Sequence, residues 1–163
     1  MGAGVGAAGQ FGVGMPGAEV YGLDCEFEIE SDAVGNGSLT MRSGWVQIEN
    51  RWHEVLVPQG ATVRLHAAAP LGTPRDLGAS AAFLVALDAI DACRGDVDLR
   101  GADVRRLIAA SRREDAISLL SLLQRHPRLA EGPLFEHTAR LLPAAPTVDR
   151  AEVIVERTHA LAP

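Results

Sequence analysis

Over residues 19–67 apolar and polar positions alternate. Cys25, Phe27 and Ile29 fall on one side, and Asp24, Glu26, Glu28 and Glu30 on the other. That two-residue period is the mark of a half-buried strand. After a turn cluster at residues 31–37 the alternation resumes through Leu39 and Met41, then Val46 and Ile48. Asn50 and Arg51 turn the chain into Val55 and Val57, and residues 58–60 turn it again into Val63 and Leu65. The pattern predicts an antiparallel succession of about five short strands. Residues 68–78 hold Pro70, Gly72, Thr73, Pro74 and Gly78, too many breakers for a helix or a paired strand, and are read as a loop junction.

Beyond the junction the period lengthens to that of a helix. Ser80 is an N-cap candidate ahead of Phe83, Leu84, Leu87 and Ile90. Val104, Leu107 and Ile108 mark a second helix. Ser111 with Glu114 makes a capping-box pattern before Ile117, Leu119, Leu120, Leu122 and Leu123, and Pro127 closes that helix. Pro133 suits a first helical position before Leu134, Phe135, Leu141 and Leu142, with a stop at residues 143–146. A last helix is expected from about Val148 to Leu161. Such short helices need packing to be stable. The expected fold class is α+β: short antiparallel strands, as a β-sandwich or β-roll, followed by a small helical module. The divisions are 1–17 as a flexible Gly-rich start or partial strand, 18–67 as the β domain, 68–78 as the junction and 79–163 as the helical module.

Composition narrows the functional classes. The chain has 163 residues, 47% of them hydrophobic, which suffices for a core, and a net charge of −6. Its cations are all arginine and nowhere cluster with aromatics, so no nucleic-acid footprint is expected. Residues 1–17 lack both a basic stretch and a long apolar run, so as written the chain is expected to be soluble, without signal peptide or membrane span. Cys25 and Cys93 are read as free buried thiols rather than a disulfide. His53, His66, His126, His137 and His159 have no metal-ligand spacing and are read as solvent-facing. Neither a metal nor a cofactor is expected, and the Gly2, Gly4, Gly6 run lacks the strand-to-helix context of a dinucleotide fingerprint.

The acidic run Asp24 to Glu30 is read as a solvated strand face rather than a pair of catalytic carboxylates. Ser118, Ser121 and Thr138 have no base and orienting acid at hand, so no nucleophile is expected and the chain is read as a non-enzyme. Trp45 and Trp52, flanking the turn at Asn50 and Arg51, are read as packing partners.

Residues 13–74 resemble the closing part of a FecR family domain. The resemblance is carried by Pro16, Gly17 and Ala18, then by Leu23, Asp24, Cys25, Glu26 and Phe27. Gly37, Ser38, Leu39, Ser43, Gly44, Trp45, Val46, Ile48 and Glu49 follow, then Leu56, Val57, Pro58, Gly60 and Ala61, and finally Gly72, Thr73 and Pro74. Family members of one bacterial type run through Leu-Gly-Cys-Glu-Tyr, Ser-Gly-Trp-Val, Val-Pro-Ala-Gly-Ala and Gly-Thr-Pro in that order. Asp115 to Leu123 resembles the helix that follows the domain there, and Leu141, Leu142 and Pro143 a later Leu-Val-Pro.

Two departures stand out: Gly22-Leu23-Asp24 replaces Asp-Leu-Gly before the cysteine, and Arg75 stands where an aromatic usually follows Gly-Thr-Pro. The family's membrane helix and opening strands are absent, so the chain is expected to be a partial or late-started version. The resemblance implies a non-catalytic regulator on the periplasmic side of the inner membrane that controls a sigma factor through protein contacts with sigma-factor or transporter signalling components. Its motif residues here are Cys25, Gly44, Trp45, Pro58, Gly60, Gly72, Thr73 and Pro74. The alternative expectation is a structural or scaffold envelope protein whose helical half self-associates into a homo-oligomer.

Overall fold

A computed structural model describes residues 2–142; the helix expected at 148–161 and His159 lie outside them. The strands are β1 (Gly2–Met15), β2 (Ala18–Ser31), β3 (Gly37–Ser43), β4 (Trp45–Glu49), β5 (Glu54–Pro58), β6 (Ala61–Leu65) and β7 (Arg75–Asp76). The helices are α1 (Ala81–Asp91), α2 (Ala102–Ala110), α3 (Ala116–Arg125) and α4 (Pro133–Leu141), with 3-10 turns at Arg113–Asp115 and Pro127–Glu131. The class is α+β, a curled antiparallel sheet followed by helices.

The expected short strands are segments of longer, bent ones. β2 pairs with β4 through Glu19↔Glu49 and Gly22↔Val46, and with β3 through Phe27↔Met41 and Ser31↔Gly37. Apart from a shift between Glu26 and Phe27 beside the bend, both pairings keep one register, so β3 and β4 form a single bent strand along one edge of β2. β5 and β6 continue outward in the same way, β5 on β4 and β6 on β3. The bends line up across the sheet. The β1–β2 register shifts between Ala7 and Gln10, β2 turns at Asp24 with φ 43°, β3 passes to β4 at Gly44 with φ 71°, and β5 passes to β6 at Gly60 with φ 79°. Extra residues at aligned bulges increase local twist, which folds the sheet over along one line.

The bends also explain a break in the alternation. The inward positions are Val20 before the bend but Cys25 and Phe27 after it, and likewise Leu39 and Met41 before Val46 and Ile48. With Val57, Val63, Leu65 and Leu71 they form the β core.

The Gly-rich start is a full strand, β1, antiparallel to β2. The junction read as loop contains β7, which pairs with Ala61 and Thr62 of β6.

The helical half has its own core of Phe83, Leu87, Ile90, Val104, Leu107, Leu119, Leu122, Leu129 and Leu134. Ser80 caps α1, its Oγ accepting from the Phe83 N–H at 3.2 Å. Ser80→Ala should lower stability by about 1 kcal/mol, read as a shift in the urea midpoint with no change in slope. Pro133 is the first residue of α4 as expected. The capping box is displaced by one residue from the Ser111/Glu114 reading: the Asp115 carboxylate accepts from the Arg112 N–H at 2.8 Å, and Ser111 instead ends α2. Asp115 is favoured because its side chain is fully buried beside the Arg112 guanidinium, 3.0 Å away.

Candidate functional site: the outer sheet face and the junction

Residues directly opposite in an antiparallel pair share a face. On the outer face, the registers of β2, β4 and β5 set out three rows. Glu19, Glu49 and Glu54 stand in line. Beside them come Tyr21, Gln47 and Leu56. Leu23, next to the Gly22↔Val46 pair, then lies beside Trp45, which pairs with Pro58. Tyr21 (39% exposed), Leu23 (52%), Trp45 (48%) and Leu56 (45%) thus form an apolar patch bordered by a carboxylate row.

β1 extends the patch with Gly12 and Gly14, both exposed. The Tyr21 ring lies over Gly12: a Cβ there would stand 3.5 Å from it. The Tyr21 hydroxyl donates to Glu19, and its pKa is raised to about 12, first by this bond, then by burial and by the charges of Glu19 and Glu49. Gln47 Nε2 donates to Glu54 at 2.8 Å. At the β4–β5 turn Asn50 Oδ1 accepts from the Trp52 and His53 N–H groups, and the Arg51 guanidinium stacks 4.1 Å above the Trp52 ring. Both tryptophans, expected as packing partners, are exposed: Trp45 follows the bend at Gly44 on the outer face and Trp52 sits in the Asn50 turn.

Past the bend the outer face is polar. Glu28 pairs with Arg42 at 2.7 Å, and the Thr40 and Thr62 hydroxyls meet at 3.1 Å. The acidic run beyond Asp24 thus lies on a wet strand face, with Glu26 and Glu30 exposed, as its alternation implies.

The second concentration of polar groups is the junction. The Asp91 carboxylate, at the end of α1, accepts from the Thr73 N–H (3.0 Å), the Thr73 hydroxyl (2.5 Å) and Arg125 Nη1 (3.1 Å). Arg75, its side chain only 8% exposed, meets Asp88 at 2.8 Å and Asp91 at 3.8 Å, while its Nε and Nη2 have no hydrogen-bond partner among the described residues. The Ser118 hydroxyl donates to the Pro74 carbonyl at 2.6 Å, and Arg112 bridges Asp76 and Asp115. A cavity of about 290 Å³ opens beside this strap, lined by His53, Glu54, Thr73, Ser121, Gln124 and Arg125 among others.

The motif residues of the sequence reading thus gather in two places. Cys25, Gly44, Trp45, Pro58 and Gly60 lie at or beside the sheet bend, and Gly72, Thr73 and Pro74 lie in the strap. Cys25 is a buried free thiol, its pKa pushed up first by burial and then by Asp24; Cys93 is free but half-buried. Compared with family models, curated proteins and solved structures, the chain finds no match. No helix among the described residues is long and apolar enough to cross a membrane.

Packing brings together one pair that sequence spacing did not offer: Ser111 Oγ and His137 Nε2, 2.6 Å apart. The hydroxyl also lies 2.9 Å from the Ile108 carbonyl, which can only accept. Its one proton goes there, so Nε2 donates to the serine, the reverse of what nucleophile activation needs.

The four described histidines are half-buried rather than solvent-facing. Burial is the first cause lowering the pKa of His53, His126 and His137 from 6.5, with a neighbouring arginine second: Arg125 for the first two, Arg140 for the third. Asp91 acts in the opposite direction on His53 and His126. A lowered folded value means the unfolded chain takes up protons more readily. This stability is complete above about pH 6.5 and is lost as pH falls through the folded values. Melting should therefore occur at a lower temperature at about pH 5.5 than at about pH 7.5, and His137→Gln should shrink that difference. Equal melting temperatures would refute the linkage.

Proposed function

We propose that this chain is a non-catalytic signal-relay or regulatory module of the FecR type, acting through protein contacts on the periplasmic side of the inner membrane to control a sigma factor. The observation that carries the reading is the exposed Tyr21–Leu23–Trp45–Leu56 face, since large apolar side chains gathered on one sheet face mark a contact surface. The placement of the motif residues supports it. Asp24 occupies the position of the family's glycine before the cysteine, and its backbone is left-handed, the conformation that favours glycine. Gly44 and Gly60 also have positive φ. Arg75, in place of the usual aromatic, is buried against Asp88 and Asp91.

Pairwise binding of the whole chain to sigma factors and transporter signalling domains from the same genome tests the proposal. A micromolar or tighter partner is expected, and a clean negative across the set would overturn it.

The scaffold reading draws on a different feature. Among the described residues β1, 14 residues long, pairs only with β2, and its other edge is a template for another strand. Sedimentation equilibrium separates the two readings: a stable homo-oligomer without sigma-system partners favours the scaffold.

A further inference from the structure

We infer that the outer face of β2, β4 and β5 docks a cationic amphipathic segment of a partner protein, its apolar side chains seated on Leu23, Trp45 and Leu56 and its Lys or Arg side chains over Glu19, Glu49 and Glu54. The inference rests on the protein-contact reading and adds the chemistry of the partner.

Three observations carry it. First, the rows run parallel and follow one another every second residue, about 7 Å apart along the strands: Leu56 stands in the row next to the carboxylates and Leu23 with Trp45 in the row beyond, so one segment can span all three. Secondly, the carboxylate row comes from three separate strands that folding brings into line. Like charges directly opposite oppose sheet formation, and a cationic partner relieves that cost. Thirdly, the β1 positions beside Tyr21 and Glu19 are Gly12 and Gly14, so no β1 side chain fences the face beside those two residues. A second copy of this chain is the less suitable occupant, because the net charge of −6 works against bringing two such faces together. Among the described residues Arg51 forms no ion pair with the row; its guanidinium lies over Trp52.

The chain's two tryptophans include one inside the face, so its own fluorescence reports occupancy. The probes are an 18-residue amphipathic helix of leucine and lysine and the same peptide with glutamate for lysine. The Leu/Lys peptide should shift the emission to the blue with an affinity that falls as salt rises, and the Leu/Glu peptide should not bind. Leu23→Gln/Leu56→Gln removes both leucines of the apolar patch and keeps the charges; Glu49→Gln/Glu54→Gln removes two of the three carboxylates and keeps the patch. All four positions lie on the outer face, so circular dichroism should show both variants folded. Each double variant should weaken the Leu/Lys peptide about tenfold or more, and the glutamine-for-glutamate variant should also flatten the salt dependence.

Absence of binding, equal binding of the Leu/Glu peptide, or wild-type affinity in both variants would overturn the inference. So would a wild-type oligomer that Leu23→Gln/Leu56→Gln dissociates, because a second copy would then cover the face. Repeating the partner screen with the variants keeps the two proposals apart. A partner retained at full affinity by both variants refutes this face but leaves the protein-contact reading standing. No partner for the wild type, with peptide binding intact, refutes the FecR-type role alone.

Discussion

Gly44→Ala is expected to destabilise the β half by about 2–5 kcal/mol, from about 1–2 for a side chain in left-handed backbone and about 1–3 for overpacking. Gly44 has φ 71°, and a Cβ added there would stand 2.9 Å from Cys25 Cβ and 3.1 Å from the Asp24 carbonyl oxygen. Neither contact can relax as a flexible side-chain end would, because both lie at the bend itself. Bending the sheet brings β2 and the β3–β4 turn this close, and the left-handed residue redirects the strand so that Val46 and Ile48 point inward after Leu39 and Met41. Urea unfolding monitored by tryptophan fluorescence checks the value, since Trp45 is the next residue. Gly60→Ala is the informative control. Its φ is also positive, at 79°, but a Cβ there meets nothing within 4 Å, so only the conformational part of the loss should appear. Equal losses at the two positions would show that the close approach to Cys25 contributes nothing.

Asp91→Ala is expected to cost about 3–5 kcal/mol, the range for removing one partner of a buried ion pair. The substitution strips the acceptor from the Thr73 N–H and hydroxyl and from Arg125, and leaves the largely buried Arg75 with Asp88 alone. Because these contacts tie the strap at residues 71–76 to α1 and α3, the loss should fall on the coupling between the halves as well as on total stability. The wild type should melt in one transition. Asp91→Ala should melt in two, the helical core around Phe83 and Leu119 separately from the β core around Phe27 and Ile48. Calorimetry checks both statements. Asp91→Asn keeps an acceptor for Thr73 but loses the charge facing Arg75 and Arg125, so it should fall between the two. A single, unshifted transition in Asp91→Ala would mean that the strap does not couple the cores.

Of the candidate sites, the strap was the more legible in sequence. Gly72, Thr73 and Pro74 announced a junction through the local effect of their residue types on the backbone. That Thr73 would meet Asp91 and Pro74 would meet Ser118 was invisible, because those partners are 18 and 44 residues away. The outer face was hidden more completely. Glu19, Glu49 and Glu54 are unremarkable singly, and the conspicuous acidic run starts at the bend with Asp24 and continues beyond it through Glu26, Glu28 and Glu30. The general habit of aromatic residues in strands predicts packing for Trp45 and Trp52, and local pattern alone does not say which side of a bent strand faces out.

Periodicity, caps and breakers by themselves determined the α+β class, the change from a two-residue to a helical period near Ser80, the N-cap at Ser80 and the start of α4 at Pro133. These features are local: each depends on backbone preferences and burial patterns spanning a few residues. Only the tertiary structure decided that the short strands are halves of bent ones, that the bends align at Asp24, Gly44 and Gly60, and that three glutamates fall in line beside an apolar row. Register is a property of pairs of strands, and a one-residue slip at a bulge exchanges the inner and outer faces. No single stretch of chain contains that information.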